Sequence, residues 1–218
     1  VGLAWSTAGP GGPYTRRSEP ILEPREHKWD SRITTNSAAV TLSNGTVLVM
    51  YKGSYPPTGK QQTVCLGVAA AETWNGTYRR LREDPIFDCP EGSFFFEDPS
   101  LFVGVDGTFH LIAKDFHGTV THSGYSGAHA VSRDFVNWNW TEPNPLAYTP
   151  IHLWSDGKTR KQVHQERPQV LLDERDGWPS HIYFGTDTWL DGSQRFWNMV
   201  MPLRPPTEAK SASPVDVV

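Results

Sequence analysis

Ala38-Ala39-Val40-Thr41-Leu42-Ser43-Asn44-Gly45-Thr46-Val47-Leu48-Val49-Met50-Tyr51 is two apolar runs joined at an Asn-Gly step. Asn-Gly favours the positive φ angles of a two-residue hairpin, so the stretch reads as a strand pair. The pattern recurs. Pro99–Val103 is followed by Asp106-Gly107 and Thr108–Ile112, and Pro168–Leu172 by Asp176-Gly177 and Trp178–Phe184. The turn residues Gly45, Gly107 and Gly177 stand one period apart, about 65 residues. Between these pairs lies a second kind of hairpin, in which a small-residue strand leads to a polar, aromatic one. Its copies are Gly2–Ser6 with Gly12–Arg17, Gly67–Ala71 with Gly76–Arg80, and Ala128–Asp134 with Trp138–Trp140.

Two hairpins per period make a four-stranded unit, and repeated four-stranded units fit the blades of an all-β propeller, where radial packing buries both faces of each sheet. The apolar spacing is near two and no segment sustains a 3.6 period, which excludes a helical solenoid. Counting units gives a half blade (1–25), full blades at 36–90 and 98–148, and another from about 165. The chain thus covers three and a half to four blades and starts inside one. A propeller opened there exposes a sheet edge, so an upstream segment or another chain is expected to close it. Residues 1–204 form one partial propeller domain, and the Ser/Pro/Ala-rich residues 205–218 an extended C-terminal tail.

Composition removes other classes. The 218 residues carry 20 basic and 24 acidic side chains, net charge −4, without a Lys/Arg cluster, so nucleic acid is not an expected partner. Nine Trp, ten Phe and seven Tyr argue against disorder. No apolar run reaches the roughly 18 residues of a membrane span. Three N-x-T sequons, at Asn44, Asn75 and Asn139, point to glycosylation and a secreted or extracellular location. Val1–Ser6 has no signal-peptide character, so a secreted protein would have its start outside this chain. Cys65 and Cys89 are the sole cysteines. They are either one disulfide, closing a loop of about 25 residues and worth roughly 3 kcal/mol, or two buried thiols. Neither their spacing nor any His nearby suggests a metal site, and no cofactor is expected. A calcium ion on the axis, held by loop carbonyls, would leave no sequence signature.

A polar triplet precedes each innermost strand: Thr35-Asn36-Ser37, Glu97-Asp98-Pro99 and Glu166-Arg167-Pro168. Innermost strands surround the axis, so these residues can converge on one pocket. Paired carboxylates facing a cavity are the basic equipment of glycoside hydrolysis. Trp29, Phe95 and Phe96 can stack on a sugar ring. His117 and His129, which follow inner strands, can adjust an acid or bond a hydroxyl. Arg167 can pin an acidic sugar or simply neutralise Glu97 and Glu166.

Trp29-Asp30-Ser31, Glu97-Asp98-Pro99-Ser100, Ala130–Asp134 and Glu166-Arg167-Pro168, in this order on a blade period, resemble the five-bladed propeller glycoside hydrolases. The likeness is greatest to family 43, in the clan that includes families 32, 62 and 117, and it spans nearly the whole chain. It implies that Glu166 is the general acid and Asp98 the acid that tunes its pKa, with a catalytic base upstream of residue 1. Asn36 carries no acid where one could stand, so it joins Trp29, Asp30, Glu97, His117, His129 and Arg167 as a substrate-binding candidate. The expected function is an inverting glycoside hydrolase acting on an extracellular polysaccharide or oligosaccharide. The alternatives are a degenerate propeller that binds carbohydrate without cleaving it, and a structural or assembly module.

Overall fold

In the computed structural model, which describes residues 1–55, 63–90, 95–154, 156–190 and 192–203, each Xaa-Gly step of the repeat closes an antiparallel strand pair. The first half-unit is a short pair, β1 (Ala4–Trp5) and β2 (Thr15–Arg16). The next blade is the four-stranded sheet β3 (Ile33–Thr41), β4 (Val47–Ser54), β5 (Val64–Ala71) and β6 (Arg79–Arg80), hydrogen-bonded in that order. The following blade contains β7 (Phe96–Val103), β8 (Phe109–Asp115), β9 (Ser126–Ser132) and β10 (Asn139–Trp140), with β11 (Leu146–Tyr148) also paired to β9. After a small hairpin, β12 (Ile151–Leu153) and β13 (Thr159–Lys161), the last blade is three-stranded: β14 (Gln165–Leu172), β15 (Pro179–Leu190) and β16 (Ser193–Pro202). Gly45, Gly107 and Gly177 all take positive φ, at 88°, 79° and 72°. The architecture is all-β and that of a partial propeller. The tail expected at 205–218 lies outside the described residues.

The inner strands β3, β7 and β14 lie side by side, and the blades pack face to face behind them. One core joins the first two blades through Met50, Tyr51, Leu66, Val68, Phe96 and Leu111. A second joins the last two through Ile112, Tyr148, Ile182, Phe184 and Met199. Strand β5 is buried almost end to end, which explains its run of Gly and Ala: both of its faces carry a neighbour. Cys65 on β5 is joined to Cys89 in a disulfide, with Cα atoms 6.2 Å apart, which fastens this strand to the segment leading toward β7. Among the described residues no helix is long and apolar enough to cross a membrane.

Trp29 and Asp30 do not face a ligand; the structure corrects that expectation. They are 3% and 0% exposed. The Trp29 ring stacks on Tyr51, with centroids 5.7 Å apart, and its Nε1 donates to the Glu83 carbonyl at 3.0 Å. The ring lies over Gly53 and Gly67, where a Cβ would come within 2.5 and 2.7 Å of it. Asp30 accepts from Arg25 Nε, Arg80 Nε and Tyr51 Oη, each at 2.9 Å. The Trp-Asp motif is a clamp joining the loop before β3 to β4 and β6.

His129 is also corrected. It stacks on His110, with Nε2 3.0 Å from His110 Nδ1, and His110 stacks in turn on Phe102. The column lies within the second blade, and among the described residues no hydrogen bond or ion pair joins His129 to the candidate acids. Phe96 is 0% exposed and packed on Trp140, so it cannot stack on a sugar.

Two outcomes follow from these clusters. Breaking a buried ion pair leaves its partners uncompensated, so Asp30→Ala is expected to destabilise the fold by about 3–5 kcal/mol, read as a lower denaturant midpoint. Burial, then repulsion from His110, pushes the His129 pKa down to about 4. The unfolded chain, with an ordinary imidazole near 6.5, binds more protons than the fold below that pH. The contribution of this residue is therefore complete above pH 6.5 and is lost as pH falls toward 4. His129→Gln should flatten that part of the stability–pH curve, measured by chemical denaturation at successive pH values.

Candidate functional site

The three polar triplets occupy one repeated backbone feature. Each inner strand loses register just after the first triplet residue: between Thr35 and Ala38, Glu97 and Ser100, and Glu166 and Gln169. The next residue takes a left-handed conformation each time, with φ 51° at Asn36, 55° at Asp98 and 55° at Arg167. Asn and Asp enter this region readily and Arg does not. At Arg167 the conformation is held by its own N–H, which donates to Asp98 Oδ2 at 2.9 Å. Bulges bend a strand and re-aim side chains. Here they bring the three equivalent residues together, with Asp98 in the middle. Asn36 Nδ2 donates to Asp98 Oδ1, and Arg167 Nε lies 3.1 Å from the same oxygen.

The residues one position earlier, Thr35, Glu97 and Glu166, pair across the ladder with Lys52, Lys114 and Gly185. Glu97 sits between the two lysines, 2.8 Å from Lys52 Nζ and 3.4 Å from Lys114 Nζ. Lys114, almost wholly buried, also donates to Glu166 Oε1. The rings of Phe116 and Tyr125 flank its ammonium at 5.4 and 5.9 Å. Carboxylate oxygens of Glu97, Asp98 and Glu166 all lie within 4.8 Å of one another. Three acids therefore share the site with three cations, Lys52, Lys114 and Arg167.

Environment pushes the two central acids apart. Burial alone would raise the Asp98 pKa. Hydrogen bonds from Asn36, the Arg167 N–H and Glu166, with the Arg167 charge, outweigh it and hold Asp98 below the usual carboxylate range. Glu166 moves the other way. Burial raises it, Lys114 opposes that, and Asp98 adds to the rise through its hydrogen bond and charge, leaving Glu166 above its ordinary value. The Tyr148 hydroxyl, buried nearby, is pushed up by burial and then by the charges of Asp98, Glu166 and Glu97.

Access distinguishes the acids as well. The side chain of Glu166 is 36% exposed, against 14% for Glu97 and 1% for Asp98. Of the three, Glu166 is the one that lines a groove of about 630 Å³ along the last blade, with His164, Asp187, Gln194, Phe196 and Trp197 among the other walls. A carboxyl with a raised pKa, opening on a groove and backed by an ionised neighbour, can deliver a proton to a bound leaving group.

The remaining candidates fall in different places. Asn36 and Arg167 turn onto Asp98, so Arg167 neutralises Asp98 rather than Glu97 and Glu166. Glu97 is engaged by two lysines. His117 is exposed and packs edge-on against Phe95 and Phe116, the latter flanking Lys114. Asn44, Asn75 and Asn139 are exposed, the first two in turns and the third on the outer strand β10. Sequence reasoning missed Lys52 and Lys114. Their signal was a lysine near the end of an otherwise buried strand, at the same blade position twice. It also missed His164, two residues before Glu166, and Asp187.

No protein-family model matches the chain. A probable sucrose-6-phosphate hydrolase of Psychromonas ingrahamii is 34% identical over 76 residues, 35% of this chain and 13% of that protein. A solved glycoside hydrolase matches 94% of this chain over 58% of its own, with TM-score 0.63 and 14% identity. A family 117 glycoside hydrolase of the marine bacterium Zobellia galactanivorans matches 91% over 50%, with TM-score 0.59 and 11% identity. The chain thus spans about half of these structures and a small part of the curated relative. The likeness establishes the fold, that of the propeller-type glycoside hydrolases.

The balance at Glu166 can be tested directly. Removing an opposite charge within a few ångströms of a carboxylate raises its pKa, so Lys114→Met should move the Glu166 titration midpoint up by about one to two pH units. Carbon-13 NMR of labelled Glu carboxyls, with Glu166→Gln to assign the signal, would measure it.

Proposed function

We propose that this chain carries the acid half of a glycoside hydrolase site, acting on an extracellular polysaccharide or oligosaccharide. The observation behind this reading is the Asp98–Glu166 pair: two carboxyls in contact, their pKa values driven in opposite directions, with the raised one open to the groove. Glu166 would protonate the glycosidic oxygen as the bond breaks, and the charge of Asp98 would favour its protonated form beforehand. Asn36 and Arg167 would hold Asp98 ionised and in place.

The base has to come from elsewhere. In an inverting enzyme the two working carboxyls stand about 6.5–9.5 Å apart, with room for a sugar ring and the attacking water. Oxygens within 4.8 Å leave no such room, so neither Asp98 nor Glu97 fits the role beside Glu166. We assign the base to a further carboxylate across the groove, and the stereochemical course to inversion. The exposed apolar residues of the last blade, Leu171, Tyr183 and Val200, form the surface that a closing blade or another chain would cover. The site needs no cofactor in this scheme, because Lys52, Lys114 and Arg167 balance the three acids. The exposed sequons and the disulfide favour the extracellular location.

One observation favours a second reading, a propeller that binds sugar without cleaving it. Lys114 donates directly to Glu166, which supports the ionised form that cannot act as an acid. The two readings separate on one variant of the complete protein. For the hydrolase, Glu166→Gln should lower kcat by about 10²–10⁴-fold and leave saccharide affinity nearly unchanged, with the product anomer of the wild type followed by proton NMR. Full turnover in the variant would remove Glu166 from the acid role. Binding without turnover in the wild type would select the second reading.

A further inference from the structure

Beside Glu166, the groove contains a second charged constellation that the proton-transfer scheme does not use. Asp187, on β15, is 1% exposed. It accepts from the His164 main-chain N–H at 2.7 Å, from His164 Nδ1 at 3.0 Å and from Gln194 Nε2. These bonds outweigh the effect of burial and hold Asp187 below the usual carboxylate range. An ionised carboxylate on Nδ1 keeps the proton on that nitrogen and fixes the plane of the ring. The edge of the ring also meets Tyr125, at 6.2 Å between centroids, and Tyr125 flanks the Lys114 ammonium. His164 is therefore oriented on two sides and coupled through Tyr125 to the lysine that pairs with Glu166. Its side chain is still 42% exposed, and among the described residues no hydrogen bond engages Nε2. Opposite Asp187 in the β15–β16 ladder stands Phe196, 76% exposed and lining the same groove.

We propose that His164 and Phe196 form a sugar subsite next to Glu166, which takes a neutral pyranose or furanose ring of the chain being cleaved. Phe196 offers an apolar face for the C–H side of the ring, and His164 Nε2 meets one of its hydroxyls. Asp187 is the positioning residue, acting through His164. The charge of the walls sets the class of sugar. Among the described residues, the titratable groups lining the groove apart from His164 are the two acids, Glu166 and Asp187, with no lysine or arginine among them. Such walls offer a uronate no cation to pair with, Lys114 and Arg167 being engaged by the acids, and accept a neutral sugar.

This inference rests on the glycoside hydrolase reading, and the test keeps the two apart. The complete protein, with the carbons of its His rings labelled, is titrated with arabinotriose, xylotriose, 1-kestose and trigalacturonate and followed by NMR and calorimetry. The same titrations are made on His164→Ala, Phe196→Ala and Glu166→Gln. The expected result is that a neutral saccharide binds and shifts the His164 ring signals. Its Kd then weakens roughly ten-fold in each of the first two variants, while Glu166→Gln binds normally and loses turnover. If neutral saccharide affinity is unchanged in both His164→Ala and Phe196→Ala while Glu166→Gln still abolishes turnover, the subsite is wrong and the hydrolase reading stands. Preference for trigalacturonate overturns the assignment of sugar class. Turnover retained in Glu166→Gln, or no binding and no turnover of any of the four at millimolar concentration, overturns the hydrolase reading and the subsite with it.

Discussion

A single buried carboxylate holds the inner strands to one another. Asp98 has no solvent of its own, so its charge must be satisfied by protein. It is satisfied from two other blades: by the amide of Asn36 on β3, and by the backbone and guanidinium of Arg167 on β14. Strands of different blades share no extended ladder, so polar links add direction to the packing between them. Asp98 makes such links to two blades at once, beside the Lys52–Glu97 and Lys114–Glu166 pairs. It fixes the position of Arg167, and so of Glu166 one residue earlier on the same strand. The position of the candidate acid is thus a consequence of how the blades are joined.

The charges around this carboxylate form a closed set. Taking one ion out of water costs several kcal/mol even after relaxation, and pairing offsets this only when geometry and hydrogen bonds are good. Glu97 and Lys114 are enclosed together with Lys52 and Asp98, and Arg167 reaches Asp98 from the exposed side, so that each acid is in contact with a cation. Glu166 is the one acid of the set that borders open space, and so the one whose protonation can change without stranding a charge deep in the fold. Rigidity in the enclosed members and freedom in the exposed acid are complementary properties of the same cluster.

Much of the fold could be read from the chain because a blade has a strong local signature. Gly45, Gly107 and Gly177 stand where only a residue tolerant of positive φ is comfortable, and the alternating apolar runs on either side name the strands. The β12–β13 hairpin escaped that reading although it has its own Asp156-Gly157 step. Ile151 and Leu153 are exposed, so no burial pattern marks its strands, and it falls off the repeat. The candidate acids were legible for a related reason: the triplets recur at one blade position, and the bulge that aims them recurs too. What the chain did not reveal was partnership. Trp29 looks like a sugar platform until Gly53 and Gly67 are seen to be hollowed out for it, and His129 looks like a site residue until His110 is found stacked on it. Lys114 is a lone lysine in sequence, and only the adjacency of β7, β8 and β14 discloses two acids beside it. Partners from distant blades are set by three-dimensional packing, which no local periodicity encodes.

The repeated bulge has a consequence for how such a protein can change. Residues 36, 98 and 167 are three copies of one socket, with the same backbone shape and the same aim, and they differ only in the side chain plugged into it. Here the sockets hold an amide, a carboxylate and a guanidinium. Exchanging the contents of one socket alters the chemistry where the inner strands meet, and it must also replace the links that join Asn36, Asp98 and Arg167. In a fold of this kind the same few addresses serve both scaffold and chemistry, so a lineage that rewrites one of them has to rewrite its partners as well.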